Sequence, residues 1–323
     1  MTTDRPAVLV IDSDPKHLAE ISRIVRTVVP GAESVAGIDE TTALANQVLL
    51  IANHDGLHTD ERRRLFEAVA ADGQAPRLLL LHAAARDYRM LFQELQQHGL
   101  ANLLAHDREI SPRELIVTLQ KILRHDIFGL DKYFGWGVES FGQRIRSSRD
   151  TRDAVDEATG FASGLDIHPR LVENLATVVH ELLTNALYNA PVDGAGAPRF
   201  MHLPRTTEVT LEPAEEVILT VCCDGQHLGV SVSDSFGAMT RDQSLDYLVK
   251  CMKREATQEP RPSKGGAGLG LYMTFDSLNH LVLNIRPTER TEVIGLIDIR
   301  GSYRDFVKRG KSFNIFVGTR TGE

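Results

Sequence analysis

The first third of the chain alternates short apolar runs with stretches of helical periodicity. Each of four apolar runs of strand length precedes a segment whose apolar residues recur at helical spacing. Continuous apolar strands separated by helices are typical of a parallel sheet covered on both faces, so residues 1–124 are predicted to form a doubly wound α/β domain. The four runs are Ala7–Ile11, Val48–Ala52, Leu78–Leu81 and Leu103–Ala105.

A longer helical pattern marks the second half of the chain. Apolar residues recur at helical spacing across Pro169–Ala190 and form a stripe that one side of a helix would bury. Glu181, Asn185 and Asn189 follow one another at intervals of four beside that stripe, so they share one face. A carboxylate and two carboxamides in this arrangement are either a solvated helix face or part of a polar site, and the spacing alone leaves both open.

Two glycine-containing segments follow that helix. Val217–Cys223 and Gly229–Ser233 flank an Asp-Gly pair, which is typical of a β-hairpin, and the second strand delivers Asp234 at its end. Lys264–Leu271 (KGGAGLGL) then leads into an apolar helical stretch. Closely spaced glycines let a backbone approach a ligand, and the amino end of a helix favours anions, so this segment is either a phosphate cradle or a flexible hinge. Its spacing fits neither the dinucleotide fingerprint nor the Walker A loop.

Length and composition narrow the class of protein. The 323 residues are about twice the usual length of a domain. A net charge of −8 argues against a dedicated nucleic-acid surface, and the three cysteines (Cys222, Cys223 and Cys251) suit neither a disulfide framework nor a zinc site. No apolar run approaches ~18 residues and no signal peptide is evident, so we expect a cytoplasmic protein without a membrane-spanning segment.

The first pattern resembles the receiver domain of response regulators. VLVIDSDP at residues 8–15 is similar to the acidic opening of that family. REISPREL at residues 108–115 lines up with the stretch that normally begins with the family's lysine. The resemblance covers residues 5–124 and implies a parallel sheet with a phosphorylation pocket at the carboxyl ends of its strands.

The residues that would carry receiver chemistry are largely replaced. Aspartyl phosphorylation needs a carboxylate nucleophile and a metal held by acids. Asp12 remains, but no aspartate stands in the acceptor register of the third strand. We therefore predict a pseudo-receiver that serves as a docking or dimerisation module, with a displaced acceptor at Asp55 as the alternative. The residues that differ from the receiver pattern are Ser13, Asn53, His82 and Arg108.

Residues 125–150 are predicted to be a helical connector between two domains. They hold the chain's single tryptophan, Trp136, and several other aromatic residues. The alternative interpretation of this aromatic cluster is a surface that binds a partner protein.

In the order in which they occur, the motifs of the second half resemble the GHKL ATPases, the superfamily of gyrase and the histidine kinases. HELLTNALYNA at residues 180–190 is similar to the N box of that family, and GGAGLGL at 265–271 to its second glycine box. The resemblance covers residues 151–323 and implies a two-layer α/β sandwich, the Bergerat ATP-binding fold, with ATP and Mg²⁺ as cofactors.

The resemblance also implies roles for individual residues. Glu181 would act as general base or orient the attacking group, Asn185 would coordinate Mg²⁺ through its side-chain oxygen, and Asp234 would accept a hydrogen bond from the adenine amino group. The glycines would wrap the phosphates, Lys264 would neutralise charge from a mobile lid, and Ser312 would stand near the adenine. The complete set of nucleotide-contacting positions is Asn185, Asn189, Asp234, Gly237, Lys264, Gly266, Gly268, Gly270, Leu271 and Ser312.

Two positions depart from the family pattern. Phe236 and Ala238 stand where the first glycine box usually has glycine, so that loop retains only Gly237. Asn189 replaces a frequent histidine of the N box.

Within the superfamily, the second half resembles the anti-sigma-factor serine kinases, which phosphorylate a small antagonist protein. No helical hairpin with a phospho-acceptor histidine precedes the N box. We expect an ATP-dependent serine/threonine kinase in a partner-switching pathway, whose partner is an antagonist or a sigma-factor-like regulator. A divergent histidine-kinase-like protein and a non-catalytic, ATP-gated binding module remain alternatives. We expect no direct contact with nucleic acid or membrane, and homodimerisation is left open.

Overall fold

The computed structural model describes residues 7–39, 42, 44, 47–71, 78–83, 87–106, 110–138, 140–257 and 268–319. The chain forms two compact units. Met1–Asp126 and Gly310–Asn314 make up the first unit, and Ile127–Arg309 and Ile315–Glu323 make up the second.

The first unit contains a parallel sheet with the strand order β2-β1-β3-β4-β5. Its core is aliphatic, because the strands are apolar on both faces and α1 and α4 pack together over one of them. The strands are β1 (Val8–Ile11), β2 (Glu33–Val35), β3 (Leu49–Asn53), β4 (Leu78–His82) and β5 (Asn102–Ala105). The helices are α1 (Pro15–Val28), α2 (Thr59–Ala71), α3 (Tyr88–Gln97) and α4 (Pro112–Arg124).

Local sequence signals set the starts of these helices. The Asp14 side chain accepts hydrogen bonds from the amides of Lys16 and His17, and Pro15 occupies the first helical position. Ser111 caps α4 by accepting from the amide of Glu114 at 3.4 Å, as the Ser-Pro-x-Glu pattern predicts. The sequence pattern does not predict strand β2, because Glu33–Val35 contains a single large apolar residue and therefore forms no apolar run.

The second unit contains an antiparallel sheet with the strand order β9-β10-β8-β7-β6. Helix α6 packs against β8 and β10, α8 packs against β9 and α6, and α5 and α7 pack on these two helices. The strands are β6 (Ser140–Ile145), β7 (Val217–Cys223), β8 (His227–Asp234), β9 (His280–Arg286) and β10 (Arg290–Asp298). The helices are α5 (Thr151–Gly164), α6 (Pro169–Thr184), α7 (Arg241–Thr257), α8 (Leu269–Asp276) and α9 (Tyr303–Lys308).

The last strand, β11 (Ser312–Val317), adds residues from a distant part of the sequence to the first unit. Phe313 pairs antiparallel with Leu103 of β5, and Asn314 pairs with Asn102. The Asn314 side chain donates to the Asn102 side-chain oxygen at 3.1 Å, and both residues are fully buried. Buried polar side chains of this kind fix strand register, because a slip would leave both amides unpaired.

The prediction of a helical connector over residues 125–150 is wrong. This segment contains a short 3₁₀ turn, Leu130–Tyr133, and strand β6. The turn is held by Glu292 of β10, whose buried carboxylate accepts from the Gly129 amide at 2.8 Å and from the Asn284 side chain at 2.9 Å. The aromatic residues therefore pack on a sheet instead of along a helix. Trp136 is the exception, since its side chain is fully exposed.

A mixed α/β class is confirmed by these elements. Within the described ranges, no helix has both the length and the apolar composition needed to cross a bilayer.

Candidate functional site

The N-box motif forms the end of α6 and a π-helical turn that extends it. Pro169 begins the helix, and the turn covers Asn185–Asn189, where the Ala190 amide donates to the Asn185 carbonyl at 2.9 Å. Single π-turns within helices are frequent at functional sites because they widen the helix locally. Leu171, Leu175, Val178, Val179 and Leu182 are buried, as the predicted stripe requires.

The polar face of this helix carries a chain of hydrogen bonds. The Asn189 side chain donates to the Asn185 side-chain oxygen at 2.8 Å. Arg205 in turn donates from Nη2 to the Asn189 side-chain oxygen at 2.6 Å. A carboxamide oxygen has two lone pairs, so the Asn185 oxygen can still accept one more ligand. The two asparagines predicted as site residues are therefore directly connected.

Glu181 lies against the glycine-rich segment. A Cβ atom at Gly270 would collide with the end of the Glu181 side chain, so any larger residue there would require this flexible carboxylate to move. Gly268 has φ +104°, and a Cβ atom there would lie 2.6 Å from the Tyr247 side chain. Among the described residues, the Glu181 carboxylate has no hydrogen-bond or ion-pair partner. A free carboxylate thus faces the backbone that was predicted to hold phosphates.

Asp234 ends β8 and is buried. Its side chain accepts hydrogen bonds from the amides of Phe236 at 2.9 Å and Gly237 at 3.3 Å. Burial raises the pKa of Asp234 to about 6, although these amides and nearby Arg290 favour the ionised form. Gly237 has φ +57°, and a Cβ atom there would lie 2.7 Å from the amide nitrogens of Thr288 and Glu289. The single glycine that remains in this loop is therefore the one the turn requires.

Thr291 was missed in the sequence. It lies directly opposite Asp234 in the β8–β10 register and is 2% exposed. Its hydroxyl has no hydrogen-bond partner in the part of the chain that the structure describes. A buried hydroxyl left unpaired is costly, and this one lies beside a buried carboxylate, so we treat the pair as a candidate site. The residue escaped notice because the apolar pattern of β10 had not been recognised as a strand.

Other predicted site residues lie elsewhere. Ser312 belongs to the first unit, where its hydroxyl accepts from the Ala105 amide at 3.0 Å and lies 3.4 Å from a carboxylate oxygen of Glu114. Leu271 is buried in the packing of α8, so its side chain is part of the core. Lys264 and Gly266 fall outside the described residues.

The carboxyl edge of the first unit's sheet is occupied by internal hydrogen bonds. Asp12 Oδ2 contacts His17 Nδ1 and accepts from the Asn53 side chain at 3.0 Å, and its other oxygen accepts from the Asp14 amide at 2.9 Å. Burial alone would raise the pKa of Asp12, but these hydrogen bonds hold it below its usual value. Asn53 ends β3, in the position where a receiver would carry its acceptor. Arg108 lies outside the described residues.

Asp55 and its neighbour His54 are also engaged. Asp55 Oδ2 accepts from the Ala83 amide at 2.6 Å. His54 Nε2 lies 2.7 Å from Glu94, and although burial opposes its charge, hydrogen bonds to Asp55 and Glu94 raise the pKa of His54 to about 9. Among the described residues, no group of three or more His, Cys, Asp or Glu side chains could hold a metal ion.

Comparisons with known proteins add no assignment. A scan against protein-family models gives no match, and a search of curated proteins gives none. Among solved structures, this chain is similar to one described as a GCN5-related glucosamine N-acetyltransferase region in a fungal multi-domain GH3 beta-N-acetylglucosaminidase. The identity is 10%, the TM-score is 0.27, and the match covers 75% of this chain and 26% of that chain. This likeness carries no argument about fold or function.

The raised pKa of Asp234 predicts a pH-dependent stability. The unfolded chain ionises this carboxyl near pH 3.8 and the folded chain near pH 6, so its stabilising contribution is complete at low pH and is lost as the pH rises through about 6. Asp234→Asn stays neutral throughout. We expect the stability of wild type relative to Asp234→Asn to fall by roughly 3 kcal/mol between pH 3.5 and pH 7.

Chemical denaturation of the full chain, followed by circular dichroism across this pH range, measures that difference. Parallel stability curves for the two proteins would contradict the raised pKa.

Proposed function

We propose that the second unit is a GHKL-type domain that binds Mg-ATP and transfers its terminal phosphate to a serine or threonine of a partner protein. The observation that carries this proposal is the pair formed by Asp234 and Thr291 on neighbouring strands. A buried carboxylate beside an unpaired buried hydroxyl suits the donor and acceptor atoms of an adenine edge. The motif order and the sheet with helices packed on it support the Bergerat fold as its architecture.

The residues present fit the cofactor. Ionised Asp234 would accept from the adenine amino group, and Thr291 would complete the polar contacts of the base. The backbone of Gly268 and Gly270, at the amino end of α8, would face the phosphates without side-chain obstruction. Asn185 would hold Mg²⁺ through the free lone pair of its side-chain oxygen, and the ion would neutralise charge on the phosphates.

Glu181 distinguishes a kinase from a binding module in this proposal. Its carboxylate has no partner among the described residues and lies against Gly270, beside the proposed phosphate cradle. An unpaired carboxylate in that position can accept the proton of an attacking hydroxyl group. A domain that only sensed ATP would have no use for such a base. Phosphotransfer to histidine remains an outcome of the test below.

For the first unit, we propose a pseudo-receiver that docks a partner or a second copy of the chain. The parallel order β2-β1-β3-β4-β5 supports a receiver-like, doubly wound architecture. The hydrogen bonds of Asp12 to His17 and Asn53 support a loss of phosphorylation, because they occupy the carboxylate that would otherwise hold a metal. A cytoplasmic location, without direct contact to nucleic acid or membrane, is part of the proposal.

The kinase proposal is tested by incubating the full chain and its Glu181→Gln variant with ATP labelled on the terminal phosphate, in the presence of candidate antagonist proteins. We expect acid-stable label on serine or threonine of a second protein. Glu181→Gln should bind ATP like wild type but transfer label about 10²-fold more slowly, because only the base is lost. Thr177→Ala, on the same helix, is the matched control, since that hydroxyl donates to the Glu173 carbonyl within the helix.

Acid-labile label would indicate transfer to histidine. The absence of any transfer, with ATP binding intact, would favour the ATP-gated module.

The pseudo-receiver proposal predicts no phosphorylation of the first unit by acetyl phosphate in the presence of Mg²⁺. The reason is that Asn53 cannot act as the nucleophile and Asp12 is already engaged. Intact mass spectrometry of the full chain measures the incorporation. Stoichiometric phosphorylation that Asp55→Asn abolishes would overturn the proposal and identify Asp55 as a displaced acceptor.

A further inference from the structure

Arg205 lies on the segment between the π-helical turn and β7, and this segment is tied to the N-box helix. The Tyr188 hydroxyl donates to the Arg205 carbonyl at 3.1 Å and to the Thr207 carbonyl at 2.8 Å. Tyr188 is itself 4% exposed, so the backbone at Arg205 is anchored to a buried side chain. The position of Arg205 is therefore fixed by the fold.

The guanidinium group of Arg205 is held at two further points. It stacks over the Tyr188 ring, with Cζ 4.7 Å from the ring centroid, and donates from Nη2 to Asn189 at 2.6 Å. Because Asn189 donates to Asn185, Arg205 is connected through one carboxamide to the residue proposed to hold Mg²⁺. Its charge also interacts favourably with Glu181 across the same helix face. All four residues, Glu181, Asn185, Tyr188 and Asn189, belong to residues 180–190.

Arg205 has no carboxylate partner among the described residues, unlike several arginines of the second unit. Arg144 pairs with Glu216 at 2.9 Å, and Arg300 pairs with Asp298 at 2.6 Å. No carboxylate oxygen lies within 4.0 Å of the Arg205 guanidinium in the part of the chain that the structure describes. The side chain is exposed, so an anion from solution can reach it. Most of the five N–H donors of this guanidinium have no partner among the described residues. Their planar arrangement matches a phosphate group, so the side chain is suited to bind such an anion.

We propose that Arg205 binds the terminal phosphate of the nucleoside triphosphate and distinguishes it from the diphosphate. This inference rests on the proposed function of the same site. The adenine would lie at Asp234, and the phosphates would follow the glycines toward Glu181 and Asn185. Arg205 adjoins that end of the site, where only the triphosphate carries a further anionic group. The guanidinium would balance charge there that a single Mg²⁺ leaves uncompensated.

The test is calorimetric titration of the full chain with Mg-ATP and, separately, with Mg-ADP. We expect Arg205→Gln to weaken Mg-ATP binding by at least about tenfold, as the loss of hydrogen bonds to a charged group implies. The same variant should change Mg-ADP binding by less than about twofold. Arg205→Lys keeps the charge without the fork and should give an intermediate loss for Mg-ATP. Arg152→Gln is the matched control, since Arg152 is an exposed arginine of α5 paired only with Asp156, and it should bind both nucleotides like wild type.

Equal losses for the two nucleotides, or no loss for either, would overturn the inference. If Arg205→Gln lowers the melting temperature, the ratio of Mg-ATP to Mg-ADP affinity in Arg205→Lys decides instead. An unchanged ratio there would count against the proposed phosphate contact. Failure of the wild-type chain to bind either nucleotide would instead refute the proposed function on which the inference depends.

Discussion

A buried carboxylate at the end of β8 is the constraint around which the second unit is arranged. The raised pKa of Asp234 means that keeping it ionised at neutral pH costs roughly 3 kcal/mol relative to water. Hydrogen bonds from the Phe236 and Gly237 amides already reduce the cost to this value, and the turn that contains them has Gly237 in a left-handed backbone conformation. The unpaired hydroxyl of Thr291 faces the same position from the neighbouring strand. A buried carboxyl group with a shifted pKa beside an unpaired hydroxyl group is a candidate for a binding site.

Asp12 of the first unit and Glu181 of the second differ in whether their carboxylates are hydrogen-bonded within the described residues. In the first, Asp12 is engaged by His17, Asn53 and a backbone amide, so its charge is satisfied internally. In the second, Glu181 has no such partner in the described residues and lies against a glycine that leaves room for it. Of these two carboxylates, the one without a partner therefore lies in the second unit.

The sequence patterns predicted the elements that depend on residues close together in the chain. They did not predict the features that depend on contacts between residues far apart in the sequence. Apart from β2, the strands and helices of the first unit that precede residue 125 followed from apolar runs and caps such as Ser111. Glu181, Asn185 and Asn189 share a helix face, as their spacing required. Thr291 could not be found in this way, because its role arises from pairing with a strand more than fifty residues earlier. Ser312 could not be placed for a similar reason, since β11 pairs with β5 across the length of the chain. The connector lacked helical periodicity, and its structure depends on the distant carboxylate of Glu292.

We propose that Asn185 holds Mg²⁺ for a nucleotide bound between Asp234 and the glycine-rich segment. The most direct test of this proposal is isothermal titration of the full chain and Asn185→Ala with ATP, with and without Mg²⁺, using Thr177→Ala as the control on the same helix. We predict that Mg²⁺ raises the ATP affinity of wild type and of Thr177→Ala. For Asn185→Ala, this gain in affinity should be smaller by at least about tenfold. Equal Mg-ATP affinities for Asn185→Ala and wild type would contradict the account.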